Sequence, residues 1–173
     1  MPGVTIYVSE ALSWDPVNTA QGAFYYGETD QNGEHIINIE MRNNGKYKIT
    51  QSSAQNSCWH SDKSLSLEKT KNQNVTFEFA PCAQLKFSYE NIDCQGSDDY
   101  FEVNRYTNLE GYLGFNINAV YEGCANYTMP SFVDVPMGWW FFEWTVIKNG
   151  VEENFSDSVY LEEGEELLYE FQY

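Results

Sequence analysis

The sequence predicts an all-β chain made of two consecutive β-sandwich domains. Apolar and polar residues alternate at period 2 in run after run, whereas the i, i+3, i+4, i+7 spacing of an amphipathic helix is scarce. Turn signals rich in Gly, Asn and Asp separate those runs at spacings of about 8–12 residues, the rhythm of a sandwich or barrel. The charge is also uneven. Of a formal net −17, the stretch through Cys82 carries 6 Lys/Arg against 9 Asp/Glu, and the stretch from Ala83 carries 3 against 17. A step of that size marks two units of different surface character, 1–82 and 83–173.

The elements follow in order. Val4–Val8 is a short strand, and Trp14–Gly22, holding Pro16, is a loop. Ala23–Glu28 and His35–Met41 flank Asn32-Gly33, a pair that tolerates the positive φ of a type I′ hairpin. Asn43-Asn44-Gly45 turns into Lys46–Gln51, followed by Leu65–Leu67 and by Val75–Phe79. At Ala80-Pro81-Cys82 that run should end or cross over, because proline donates nothing to a sheet ladder. Leu85–Tyr89, Tyr100–Arg105, Tyr112–Tyr121 (with a turn or bulge at Gly111 and Gly114), Ser131–Met137 and Trp139–Ile147 come next. Lys148-Asn149-Gly150 is a second hairpin turn, and Ser158–Leu161 and Leu167–Tyr173 close the chain. The domain boundary is expected between Phe79 and Leu85.

Composition narrows the partners. A net of −17 repels phosphate backbones and anionic lipid heads, which argues against nucleic acid and direct membrane-surface binding. The same acidity also suits a protein that simply stays soluble. The densest apolar run, Met137–Trp144, is far below the ~20 residues of a transmembrane span, and no signal peptide is visible. Cys58, Cys82, Cys94 and Cys124 form an even set without a C-x-x-C pair. They read as two disulfides in an oxidising compartment or as buried thiols. Three pairings are possible; Cys58–Cys82 with Cys94–Cys124, which would staple each domain separately, is preferred.

The first half resembles the carboxypeptidase regulatory-like domain, a transthyretin-like (prealbumin-like) β-sandwich. Pro2-Gly3-Val4-Thr5-Ile6-Tyr7-Val8 resembles that family's second strand, and Thr29-Asp30-Gln31-Asn32-Gly33-Glu34-His35 resembles its turn. Gly45-Lys46-Tyr47-Lys48-Ile49 and Val75-Thr76-Phe77-Glu78-Phe79-Ala80-Pro81 resemble the two strands after it. The likeness covers roughly residues 2–81. The family's first strand has no counterpart here, and Ser52–Asp62 matches nothing in its pattern. An uncovered sheet edge would invite an edge-to-edge homodimer.

The end of the second half, Trp144–Gly150 and Val159–Tyr173, looks like the last strands of an immunoglobulin-like domain. The tandem is similar to envelope lipoproteins of the Bacteroidetes group. That likeness implies a periplasmic or cell-surface location, a lipoprotein signal outside this chain, and other envelope proteins or glycans as partners. The sequons at Asn74, Asn126 and Asn154 would then be chance matches; in a eukaryotic secreted protein they would be glycosylation acceptors.

Catalytic chemistry finds little support. There is no G-x-S-x-G or H-E-x-x-H, and the two histidines are His35 and His60. Cys58-Trp59-His60 sets a thiol near an imidazole in sequence, but a nucleophile–base pair is a spatial arrangement. No pair among the many acids is singled out for glycoside hydrolysis. The chain is therefore expected not to be an enzyme and to need no cofactor. Zinc and iron–sulfur ligation lack their usual spacing, and calcium is the more reasonable inorganic partner, at Asp93, Asp98, Asp99 and Glu102, although these acids do not follow the D-x-[DN]-x-[DN]-G pattern. Within Trp139–Trp144, Trp139, Phe141 and Glu143 should face one way and Trp140, Phe142 and Trp144 the other. One row is core. The other either packs internally or, if exposed, is an aromatic binding surface suited to sugar rings. Tyr25 and Tyr26 present the same alternatives in the first domain. The expected function is a structural, adhesive or protein-docking envelope module, with a carbohydrate-binding module as the alternative.

Overall fold

The computed structural model describes residues 1–12, 23–43, 45–52, 54, 56–61, 64–112 and 118–173, and the regular structure among them is entirely β. No helix is long and apolar enough to cross a membrane among the described residues. The expected loop Trp14–Gly22 and the bulge at Gly114 lie outside the described residues. The chain divides into two compact units, Met1–Phe79 and Ala80–Tyr173.

In the first unit, strands β1 (Thr5–Leu12), β2 (Ala23–Glu28), β3 (Gly45–Gln51) and β5 (Leu65–Leu67) form an antiparallel sheet in the order β2-β1-β3-β5; β4 (Ser57–His60) precedes β5. Period-2 alternation sends Val4, Ile6, Val8, Tyr47 and Ile49 into one small core. The Tyr47 hydroxyl donates to Glu10 Oε1 at 2.7 Å and accepts from the Arg42 amide at 2.8 Å.

Two expectations fail in this unit. His35–Met41 and Val75–Glu78 form no sheet ladder. Their alternation is real, since Ile37, Ile39, Met41, Val75 and Phe77 pack against the core, but β2 pairs with β1 instead of with His35–Met41. The pairing of β1 with β2 is extended by Gly3 N donating to Thr29 O and Thr29 N to Val4 O, both at 3.0 Å. Nor is Asn32-Gly33 a type I′ turn. Gly33 has φ +78°, whereas Asn32 is not at positive φ. Instead Asp30 Oδ1 accepts from the amides of Asn32 (2.8 Å) and Glu34 (2.9 Å), closing an Asx-type turn.

The second unit contains β6 (Phe79–Glu90, whose first residue lies in the other unit), β7 (Tyr100–Thr107), β8 (Ala119–Glu122), β9 (Tyr127–Thr128), β10 (Val133–Pro136), β11 (Gly138–Lys148), β12 (Val151–Leu161) and β13 (Glu166–Gln172). One sheet runs β10-β6-β13, with β9 also on β6, and the other runs β12-β11-β7-β8. Pairing is antiparallel except between β6 and β13, which are parallel. Inner rows of both sheets make one aromatic core around Phe87, Tyr89, Phe101, Trp140, Phe142 and Phe171. Tyr89 stacks on Phe171 at 5.2 Å between centroids, and Phe87 meets Phe142 edge to face at 5.8 Å. Such pairs contribute about 0.5–1.5 kcal/mol each beyond area burial.

Strand β6 starts at Phe79 and runs through Pro81. The strand continues because Pro81 takes part through its carbonyl, which accepts from Met137 N at 2.8 Å, and register with β10 starts at Cys82. Proline is tolerated at such an entry, where its missing N–H is not demanded. Two short strands, β4 and β9, went unforeseen. Cys94 is bonded to Cys124, 30 residues on, with Cα atoms 5.3 Å apart; Cys58 and Cys82 are likewise disulfide-bonded. No cysteine is free. Two disulfides fit an oxidising, extracytoplasmic setting.

Candidate functional site

The outer face of the β12-β11-β7-β8 sheet carries two exposed aromatic side chains, Trp139 and Tyr160, beside a group of polar ones. It begins at a corner. The chain leaves β10 in one sheet and enters β11 in the other through Gly138, whose φ of +120° suits glycine alone. The next residue, Trp139, is 46% exposed, while Trp140 and Phe142 are fully buried. Trp140 Nε1 donates to Pro136 O at 3.0 Å, which fixes the inner row against the same corner.

Antiparallel register then sets the outer grid. Trp139 lies opposite Tyr160, Phe141 opposite Ser158 and Tyr106, Glu143 opposite Ser156 and Asn104, and Thr145 opposite Asn154 and Glu102. Directly opposed residues share a face. The grid therefore has an aromatic half and a polar half, continuous along β11. In the first, Phe141 stacks on Tyr106 (centroids 5.4 Å, 22° between planes), and Trp139 meets Tyr160 edge to face at 5.5 Å.

The polar half is a shallow open depression of about 460 Å³ lined by Glu102, Asn104, Asn118, Glu143, Thr145, Asn154 and Ser156, with Trp144 and Phe155 also at its wall. Its side chains hold one another. Glu102 accepts from the Tyr100 hydroxyl (2.9 Å) and from Asn118 Nδ2 (2.8 Å). Glu143 Oε1 accepts from the Tyr106 hydroxyl at 2.9 Å, and Thr145 Oγ1 donates to Asn154 Oδ1 at 2.7 Å. The bonds to Glu143 and Glu102 raise the pKa of Tyr106 and Tyr100 above the usual phenol value, so both phenols stay neutral donors. Preset acceptors and amides beside flat rings can bind polyhydroxylated, planar-faced ligands by hydrogen bonding and stacking.

The expected site residues separate. Trp139 and Phe141 belong to this face. Tyr25 and Tyr26 lie in the other unit: the Tyr25 hydroxyl is 2.7 Å from His35 Nε2 and its ring packs on the core, while Tyr26 is 73% exposed. The four calcium candidates do not converge. Asp99 is buried, its Oδ2 accepting from Asn91 Nδ2 and the Gln95 amide, both at 2.9 Å. Those bonds, the Asn91 one first, hold its carboxyl below the usual carboxylate range. Lys148 Nζ reaches Asn91 Oδ1 (2.9 Å) and Asp93 O (2.8 Å), tying this loop to the end of β11. Asp93 Oδ1 accepts from Gln95 Nε2 and Asp98 Oδ1 from Ser97 Oγ, while Glu102 lies on the sheet face. No three His, Cys, Asp or Glu side chains are grouped to hold a metal ion among the described residues. Cys58, being disulfide-bonded, is not a thiolate partner for His60.

Sequence reasoning missed Tyr106, Asn104, Asn118, Asn154 and Tyr160. Two of these had a signal. Asn149 (φ 52°) and Gly150 (φ 75°) form the expected two-residue turn, which pairs Lys148 with Val151 and thereby Trp139 with Tyr160 and Thr145 with Asn154. Nothing local pairs β7 with β11. No family model matches the chain, and no curated protein or solved structure matches it.

Proposed function

We propose that the protein is a non-catalytic, extracytoplasmic binding module whose outer β12-β11-β7-β8 face takes carbohydrate. The observation that carries this is the continuous row Trp139, Phe141, Glu143, Thr145 on β11, in which an exposed indole and a half-buried phenyl ring run directly into a basin of carboxylates and amides. Rings offer stacking faces to sugars, and the basin offers preset acceptors and donors for hydroxyls. Core packing needs neither. An adhesive or docking role in the cell envelope is compatible with the same face, with glycan as the bound partner. The resemblance of 2–81 to a transthyretin-like domain, and of the second unit to an immunoglobulin-like sandwich, supports a spacer-and-binder arrangement.

The test is affinity electrophoresis through gels containing soluble polysaccharides, with wild type beside Trp139→Ala and Phe141→Ala. Retardation of wild type that both variants lose is expected. Unretarded wild type across neutral, cationic and anionic polysaccharides would sink the reading.

A further inference from the structure

Resting on that glycan reading, we propose that the ligand carries protonated amines: a chain of amino-sugar residues with free ammonium groups. The face contains four carboxylates, Glu102, Glu122, Glu143 and Glu152, at outward positions on four adjacent strands. Its remaining titratable groups are the phenols Tyr100, Tyr106 and Tyr160. No Lys or Arg is on it among the described residues. The three basic side chains beyond Ala83 are elsewhere. Arg105 is buried on the inner row, donating to the Tyr89 hydroxyl at 3.0 Å. Lys86 is in the other sheet, with Nζ 5.8 Å from the Phe132 ring, and Lys148 is held by Asn91 and Asp93.

A uronate or sulfated chain would therefore meet uncompensated like charge, whereas an ammonium would meet both halves favourably. Carboxylates attract it directly, and the ring faces of Trp139, Phe141, Tyr106 and Tyr160 attract it through their quadrupoles. Glu143 lies at the junction: one oxygen is taken by Tyr106, and the residue is exposed between the ledge and the depression. A neutral sugar would use the rings and the amides and leave this charge unanswered.

Calorimetric titration with a β-1,4-linked glucosamine hexamer tests the idea, with the N-acetylated hexamer, a galacturonate oligomer and a lysine oligomer of equal charge as comparators. The glucosamine hexamer is expected to bind at least about tenfold more tightly than each of them. Trp139→Ala should lose about tenfold of that affinity, and Glu143→Gln should narrow the gap to the N-acetylated hexamer. Binding should weaken with salt and with pH rising through the titration of the ligand's amines. If the N-acetylated hexamer binds as tightly as the free amine, the ammonium inference fails and the glycan reading stands. If the lysine oligomer binds as tightly, or Trp139→Ala changes nothing, general attraction to an acidic protein explains the binding and the inference fails. If no sugar binds, both readings fall.

Discussion

Strand β11 carries two rows of similar aromatic content with opposite environments. Trp140 and Phe142 point inward and are fully buried; Trp139 and Phe141, one residue away from each, point out. The inner row meets Phe87, Tyr169 and Phe171 and the Pro136 carbonyl, so each ring has protein on all sides. The outer row meets the rings of Tyr106 and Tyr160 and gives way to carboxylates and amides. Hydrophobicity alone does not separate these rows. Register and the corner at Gly138 do. Inner aromatics should therefore govern stability, and outer ones should govern binding.

The largest expected effect is on the inner row. Trp140→Ala or Phe142→Ala should cost about 3–5 kcal/mol in denaturant melts, because each leaves a cavity in a dense core. A cost below 1 kcal/mol would put these rings outside the core. The disulfide Cys94–Cys124 comes next. Replacing both by Ala should destabilise the second unit by about 3–4 kcal/mol on the chain-entropy argument for a loop of 30 residues, again read by denaturant melt.

A titration sharpens the comparison at the far end of β11, where Lys148 meets the Asp99 loop. The Asp99 carboxyl is depressed, so its stabilisation is fully present above the unfolded carboxylate pKa and is lost as pH falls through the lower folded value. Asp99→Asn should lower Tm at neutral pH, with the gap to wild type closing as pH drops below about 4. A gap constant from neutral to strongly acid pH would mean that the charge contributes nothing.

The smallest stability effects belong to the outer row. Trp139→Ala and Phe141→Ala should each stay within about 1 kcal/mol of wild type in Tm-derived stability, because contacts on the partly solvated face are lost and no core cavity is left.

Legibility followed the range of the forces. The split between Trp139 and Trp140 could be read from period-2 alternation alone, and the β11–β12 hairpin from Asn149-Gly150, because both are local. The identical dipeptide at Asn32-Gly33 misled. There Asp30, two residues before the dipeptide, captures the amides of Asn32 and Glu34 and closes a different turn. Proximity in sequence groups Glu102 with Asp93, Asp98 and Asp99. Glu102 belongs instead with Thr145, its antiparallel partner across β7 and β11. The aromatic half of the site could thus be anticipated, and most of the polar half depended on long-range pairing.

The most direct test of the account is to measure binding and stability together in one pair of proteins. Wild type and the Trp139→Ala/Phe141→Ala double variant would each be run through polysaccharide gels and melted in parallel. The account predicts retardation of wild type, none for the variant, and transitions separated by no more than about 2 kcal/mol. Equal retardation of two equally stable proteins would show that the outer face of β11 is not the binding surface.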